Sequence, residues 1–488
     1  MDFAGLQKLI VDREARSVEE VLPWLPPTMR SSYALVFRSR SLQGASEAHP
    51  RVLLYGPEAR FIVSFNGDAG EAGYNALETM EFDERTKTFT YREIAFPAAS
   101  DASSPVRFSP PNPARCTACH GTPARPIWDS HPFWPGILGE RYGAALSAHE
   151  ADAVRAFLQE QPRHPRYRTL LAAERFADTR TFKPSARERY QGTEGVAPNE
   201  ALGAALGRLN FAQILEALAA NPRFTDARYL LLGAIEPECN GLAAFYPEDR
   251  RRGVDEALAQ FGAGSARANA ELLRLKRLRA ASLESGDEGR LDAPETLDRF
   301  RFVVERELRL PTDRWTMALE KGTYDYAWSP GAGAEMSRDV RRLVARDDDD
   351  LLHRYDFRAE NGREGYCAYL ARRSRDLLAR ADPAPADSAP ALEAARVGLI
   401  EACVGCHSTG VGPPIPFDRP TALAARLRNP GFRHGTLLDE IRWRLSVQAG
   451  AGRMPLGRIV DDDDRASLLA YFASLADVRS AEVLPQSD

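Results

Sequence analysis

Two short stretches of this chain repeat the pattern C-x-x-C-H. They are Cys116, Cys119 and His120 in the first half, and Cys403, Cys406 and His407 near the C-terminus. Two cysteines three positions apart on a helical turn direct their sulfurs to the same side, where they can add to the two vinyl groups of one haem. The histidine that follows lies under the iron and supplies an imidazole ligand. The motifs therefore predict two covalently bound haem c groups.

Two other kinds of site also use a C-x-x-C pair. Zinc requires a second ligand pair nearby, so the four motif cysteines would have to share one metal. Thioredoxin-like redox chemistry uses the two thiols but does not require the histidine that follows them here. The two complete copies favour haem over both alternatives.

The last part of the chain, residues 391–488, resembles a class I cytochrome c domain. The matching residues, in chain order, are Cys403, Cys406, His407, Gly412-Pro413, Met454-Pro455, Tyr471 and Phe472. The resemblance implies the helical class I fold, with Met454 as the second axial ligand of the iron. It also implies that a carbonyl near Pro413 or Pro414 accepts the proton on the outer nitrogen of His407, and Trp443 is interpreted either as packing on the porphyrin or as ordinary core. A His/Met iron has a raised potential and no vacant position, which suits electron transfer.

Several residues are candidates for the second axial ligand of the first iron. Methionine is absent between His120 and Met317. The candidates between the motif and the next helices are His131, Tyr142, His149 and His164. We favour His131, because Ser-His-Pro precedes a predicted helix much as Met454-Pro455 does, and a five-coordinate iron is the alternative.

Length and composition limit the architecture. At 488 residues with 44% apolar content, the chain is expected to form several domains. A net charge of -5 gives no basic field for nucleic acid. Its apolar runs fall short of the ~18 residues of a membrane span. We expect a mainly α protein with a strand-rich N-terminal region, an α+β multidomain chain.

The pattern of apolar residues and turns divides the chain into four regions, the last of which is the part 391–488 already described. Residues 1–100 are predicted to be strand-rich, with hairpins at 51–65 and 79–94, and a Pro/Ser/Ala-rich linker at 97–114 leads to the first haem region, 101–175. Residues 176–385 are predicted to be a helical domain, with helices at 199–219, 252–261, 266–282, 294–308 and 365–380. Helices are also predicted at 147–159 and 465–475. The acidic run 347–350 is interpreted as solvated, and the run 461–464, which precedes the last helix, as its cap and as favourable charge at its positive end.

Two further cysteines, Cys239 and Cys367, either form a disulfide or remain two buried thiols. Covalent haem attachment in bacteria takes place outside the cytoplasm, so a periplasmic or secreted protein is expected. Residues 1–5 lack the basic and apolar regions of a secretory signal. We expect that this signal is missing from the sequence.

Three functions fit two haems. The first is an electron-transfer cytochrome that serves a redox partner protein. The second is an enzyme with the first haem as its active site and a small-molecule oxidant or substrate, an order of haems that is partly similar to that of dihaem peroxidases and oxygenases. The third is a redox or gas sensor. Because the chain is much longer than a simple electron carrier needs, the enzyme and the electron-transfer cytochrome are weighted about equally.

Overall fold

The computed structural model describes residues 1–126, 148–176, 198–261, 294–310, 332–351, 360–381, 413–446 and 462–477, apart from single positions within these ranges, and residues 400, 403, 404, 407, 449 and 454. Helices predominate in these ranges, and a six-stranded antiparallel sheet lies near the N-terminus, which confirms the α+β class. None of the helices described is both long and apolar enough to cross a membrane.

The sheet contains its strands in chain order, each antiparallel to the next. They are β1 (Tyr33–Val36), β2 (Arg51–Leu54), β3 (Phe61–Phe65), β4 (Ala76–Asp83), β5 (Thr88–Ala95) and β6 (Arg107–Phe108). Both predicted hairpins are confirmed, as β2–β3 and β4–β5. β1 was not predicted, and β6 lies inside the segment predicted to be a linker.

Helices cover both faces of the sheet. One face packs on α1 (Phe3–Asp12), on α5 (Ala148–Glu160) and on the short elements near them, and it buries alternate strand residues such as Leu35, Val63 and Phe65. The other face buries Val36, Ile62 and Met80 against α6 (Pro198–Ala219) and the segment that holds the first motif. Because every strand residue of β1 meets a helical layer, its sequence is a continuous apolar run without the alternation of a half-exposed strand.

The shorter elements of this part fill the edges of the first layer. They are α2 (Val18–Val21), α3 (Pro27–Arg30) and the 3-10 helices Leu22–Trp24, Tyr167–Thr169 and Ala173–Phe176. The first motif lies on α4 (Ala114–His120).

The core does not divide at residue 100, where the first domain boundary was predicted. β6 pairs with β5 across this boundary, and Phe157 of α5 shares a core with Phe65 of β3. Leu206 of α6 shares the core on the other face with Met80, which also crosses the boundary predicted at residues 175/176. Burial of large side chains contributes roughly 1.5–3 kcal/mol each. The sheet, the described residues between 101 and 176, and α6 therefore fold around common cores.

A separate core joins the helices of the middle region. They are α7 (Phe224–Ile235), α9 (Pro294–Leu308), α10 (Ala332–Val344) and α11 (Glu360–Leu378), with 3-10 helices at Leu242–Phe245 and Ala345–Asp347. The short helix α8 (Glu248–Arg251) has no buried residue and contacts α9 through Arg250 and Glu307. The helices predicted at 199–219, 294–308 and 365–380 are confirmed, and the one at 266–282 lies outside the described residues. α7 was not predicted, and its residues 229–235 are all buried, so its sequence there is an unbroken apolar run.

Two features fix this helical core. Cys239, after α7, and Cys367, in α11, form a disulfide with their Cα atoms 5.4 Å apart. Of the two predicted alternatives, the structure therefore has the disulfide and not two buried thiols. The carboxylate of Asp348 accepts hydrogen bonds from Tyr229 and from Tyr369, the latter at 2.9 Å. The interpretation of residues 347–350 as a solvated run is therefore wrong for Asp348, which is buried because two helices supply its partners.

The C-terminal part has its own helical core. It consists of α12 (Pro420–Leu427), the hairpin strands β7 (Pro430–Phe432) and β8 (Gly435–Thr436), α13 (Leu437–Arg444) and α14 (Asp462–Asp477). Leu423, Ile441 and Phe472, one from each helix, meet in this core. Thr436 and Asp439 form a capping box that starts α13. The predicted last helix is confirmed, but it begins at Asp462, inside the acidic run that was predicted to precede it.

Candidate functional site

The first motif occupies a short helix whose two ends are fixed by local chemistry. Pro113 precedes α4, and its carbonyl accepts the N–H of Cys116 at 2.8 Å. Gly121 ends the helix at φ +80°, a conformation that strongly favours glycine. Cys116 and Cys119 are half-buried and lie one turn apart on this helix.

The sheet holds the start of this helix in place. Asn112 accepts the N–H of Tyr91 through its side chain at 2.8 Å, and its own N–H donates to the carbonyl of Tyr91 at 2.8 Å. Ser109 makes a similar pair of contacts with the backbone of Glu93. These bonds continue the β5–β6 pairing, so the segment predicted to be a linker is a fixed support for the first motif.

A closed loop fixes the ring of His120. The N–H of Arg125 donates to the carbonyl of His120 at 3.0 Å, and Nδ1 of His120 lies 2.8 Å from the carbonyl oxygen of Arg125. Gln213 of α6 donates to the carbonyl of Ala124 at 3.2 Å, which ties the loop to the helical layer. Because a carbonyl only accepts, Nδ1 carries the proton and Nε2 keeps its lone pair. This is the tautomer that a metal-binding histidine needs.

Tyr91 supports the same ring from the sheet. Its ring is stacked on the imidazole of His120, with the centroids 3.8 Å apart and the planes inclined by 25°. Burial lowers the pKa of His120 to about 4, helped by the charge of Arg125 and opposed by the hydrogen bond to its carbonyl. The ring is therefore neutral at pH 7, in the form that can bind a metal.

The surroundings of Cys116 argue against thiolate chemistry. Burial, and then the charges of Glu78 and Glu93, raise the pKa of Cys116 to about 12. Zinc and thioredoxin-like sites use a thiolate, which is favoured by positive charge and partial exposure. Among the residues that the structure describes, no three His, Cys, Asp or Glu side chains are grouped as they would be around a metal ion.

A polar row crosses the sheet beneath the motif. Arg51 of β2 donates to Glu78 of β4 at 2.7 Å and to Ser64 of β3 at 2.8 Å. Arg115, on α4 itself, forms an ion pair with Glu93 of β5 at 3.2 Å. The row lies on the face of the sheet that meets α4, because these strand residues share the parity of Met80 and Tyr91.

The second motif shows the same arrangement at its histidine. Cys403 and His407 are described and Cys406 lies outside the described residues. Nδ1 of His407 lies 2.7 Å from the carbonyl oxygen of Pro413, which confirms the predicted contact and again leaves the lone pair on Nε2. Burial lowers the pKa of His407, against the effect of that carbonyl. Phe417 approaches the ring edge-on, with the centroids 5.2 Å apart.

Met454 is half-buried and is tied to the end of α13. Its N–H donates to the carbonyl of Arg444 at 2.8 Å. Trp443, next to that residue, stacks on His434 with the centroids 4.0 Å apart. The role of Met454 as an iron ligand stays a prediction, and so does packing of Trp443 on a porphyrin.

The candidates for the second ligand of the first iron separate clearly. His131, Tyr142 and the side chain of His149 lie outside the described residues. His164 is buried, and it stacks on Tyr167 in the core on the opposite face of the sheet. Its Nε2 donates to the carbonyl of Gly67 at 3.0 Å, and its Nδ1 accepts the N–H of Arg166 at 3.2 Å. With both nitrogens engaged and the sheet in between, His164 is not placed to bind an iron at the first motif.

The environment of His164 predicts a pH-dependent stability. Burial lowers its pKa, although the carbonyl of Gly67 opposes this effect, whereas in the unfolded chain the pKa is about 6.5. Between these two values the unfolded chain binds more protons than the folded chain. The free energy of unfolding therefore falls as the pH decreases below about 6.5, by at most ~1.4 kcal/mol per pH unit.

This effect is measured by urea unfolding at about pH 7.5 and about pH 5.5, in the natural chain and in His164→Gln. The variant is less stable at the higher pH, because it loses buried hydrogen bonds. Its free energy of unfolding falls less on acidification than that of the natural chain. An equal loss on acidification in both chains would contradict the assignment.

Sequence reasoning missed three residues of the first site, namely Tyr91, Asn112 and Gln213. Asn112 stands between two prolines in the segment predicted to be a linker, and its contact with β5 was not predicted. Tyr91 and Gln213 carry no local signal, because the sheet register and the docking of α6 place them beside the motif. Comparison with known protein families, with curated proteins and with solved structures found no significant match to this chain.

Proposed function

We propose that this chain is a dihaem c-type cytochrome, with one haem on Cys116, Cys119 and His120 and the other on Cys403, Cys406 and His407. One observation carries the proposal. At both motifs Nδ1 of the histidine donates to a backbone carbonyl a few residues downstream, at 2.8 and 2.7 Å, so both Nε2 atoms keep a lone pair. Iron-binding histidines need this tautomer and a fixed ring plane. A different aromatic side chain lies against the histidine ring at each site, Tyr91 at the first and Phe417 at the second.

A bound haem supplies reversible one-electron exchange. The chain would supply the Nε2 atoms of His120 and His407 as iron ligands and, at the second site, the thioether of Met454, whose backbone N–H donates to the carbonyl of Arg444. A methionine ligand raises the reduction potential and leaves no position for a substrate. The second site is therefore assigned to the relay of electrons to or from the first, in exchange with a redox partner protein.

The alternative is a peroxidase- or oxygenase-type enzyme with the first haem as its active site. The observation that favours it is the position of His164, which removes one of the four candidate ligands. If none of the other three reaches the iron, that iron has a vacant position for a small-molecule oxidant or substrate. His131 remains the candidate that would close this position.

We assign the protein to the periplasm or to secretion. The disulfide between Cys239 and Cys367 supports this assignment, because such bridges persist in oxidising compartments and are rare in the cytosol.

The test is spectroscopy of the chain produced through a periplasmic route. We expect a mass increase of two haems and a low-spin second haem that ignores added cyanide. A first haem that is also low-spin and inert supports the carrier, whereas a high-spin fraction that binds cyanide, and that His131→Ala enlarges, supports the enzyme. A chain without covalent haem rules out both.

A further inference from the structure

The hydroxyl of Tyr91 is a buried polar group at the first site. Tyr91 is 8% exposed, on the face of the sheet that meets α4. Within the described part of the chain, its hydroxyl oxygen has no hydrogen-bond partner. A buried O–H group without a partner costs free energy, and such groups are rare in folded proteins. A partner that arrives after folding would remove this cost.

Tyr91 cannot easily turn its hydroxyl elsewhere. Its backbone N–H and carbonyl are both bonded to Asn112 at 2.8 Å, and its ring is stacked on His120. The position of the ring fixes the position of the hydroxyl at its end. The unpartnered hydroxyl is therefore held in place beside the ring of His120.

The charges near the hydroxyl indicate what kind of partner fits. Burial holds the pKa of Tyr91 well above its usual value, against the positive charge of Arg125. A tyrosine hydroxyl is in any case protonated at neutral pH and can donate a hydrogen bond. A positive charge in its surroundings favours an anionic acceptor, and hydrogen bonds to charged acceptors are the stronger ones.

We propose that Tyr91 positions the first haem, with its ring holding the imidazole of His120 and its hydroxyl donating a hydrogen bond to a haem propionate. The propionates are the anionic acceptors that a haem brings to its site. This inference rests on the proposed haem attachment at Cys116 and Cys119. It makes Tyr91 a positioning residue that links the sheet to the cofactor.

The test compares Tyr91→Phe in two backgrounds of the full chain. In the natural background, which carries the first haem, the change removes a hydrogen bond, and the melting temperature of this part of the protein falls. In a Cys116→Ser/Cys119→Ser background, which lacks that haem, it removes an unpartnered hydroxyl, and the melting temperature rises. The expected shifts are about 2–4 °C each, of opposite sign, measured by calorimetry. In the loaded chain the resonance Raman bending mode of the propionates also shifts.

The matched control is Tyr167→Phe. Its hydroxyl donates to the carbonyl of Pro50 at 2.7 Å in the core on the opposite face of the sheet, so its loss lowers the melting temperature equally in both backgrounds. If Tyr91→Phe also lowers the melting temperature in both backgrounds, the partner of the hydroxyl is water or protein, and the proposal is overturned. An unchanged propionate mode overturns it too. If the loaded chain shows no first haem by mass, the proposed function itself fails.

Discussion

A Cys116→Ser/Cys119→Ser chain is expected to carry one covalent haem instead of two. A serine oxygen does not form the thioether bond, and His120 alone would hold a haem only reversibly. The remaining haem should keep the low-spin spectrum expected for the pair His407 and Met454. The readouts are the mass of the intact chain and the haem-to-protein ratio of the pyridine haemochrome.

The reciprocal variant, Cys403→Ser/Cys406→Ser, is expected to lose the other haem and with it the high-potential step of a redox titration. The control is Cys239→Ala/Cys367→Ala, which should retain both haems because these cysteines form the disulfide. Retention of two haems by either motif variant would show that the altered motif is not an attachment site.

Removal of the disulfide in Cys239→Ala/Cys367→Ala is expected to lower the free energy of unfolding by about 2–4 kcal/mol. The bridge spans 128 positions and joins the segment after α7 to α11. Closing so long a loop removes conformations mainly from the unfolded chain, and a chain-entropy estimate for it reaches about 5 kcal/mol. Alanine is preferred to serine because Cys239 is fully buried and a serine hydroxyl there would need a new partner.

The measurement is urea unfolding with and without a phosphine reductant. The reductant should lower the stability of the natural chain to that of the variant and leave the variant unchanged. If the natural chain does not respond to the reductant, the two thiols are not joined in solution. The support for an extracytoplasmic location would then be lost as well.

Local patterns predicted much of the secondary structure. The hairpins β2–β3 and β4–β5 follow from apolar runs separated by polar turns, and α6, α9 and α11 follow from apolar residues at helical spacing. Where two layers bury an element on all sides this signal is lost, as in β1 and α7. β6 is only two residues long, and its pairing with β5 defines it as a strand.

At the candidate site, the spacing of the motif residues is enough to predict the chemistry of each motif. The spacing of two thiols and one imidazole is local, since one helical turn brings these groups together. The same holds for the contact between His407 and the carbonyl of Pro413, which lies only six positions away and which the resemblance to class I cytochrome c implied.

The residues around those groups come from parts of the chain that are distant in sequence. Tyr91 and Gln213 reach the loop of His120 from a strand and a helix that are distant in the chain, and the sheet separates His164 from that loop. The pairing of Cys239 with Cys367 likewise depends on how α11 packs on α7. These contacts follow from strand register and helix docking, which are set by the burial of the whole core, and a short motif contains no information about them.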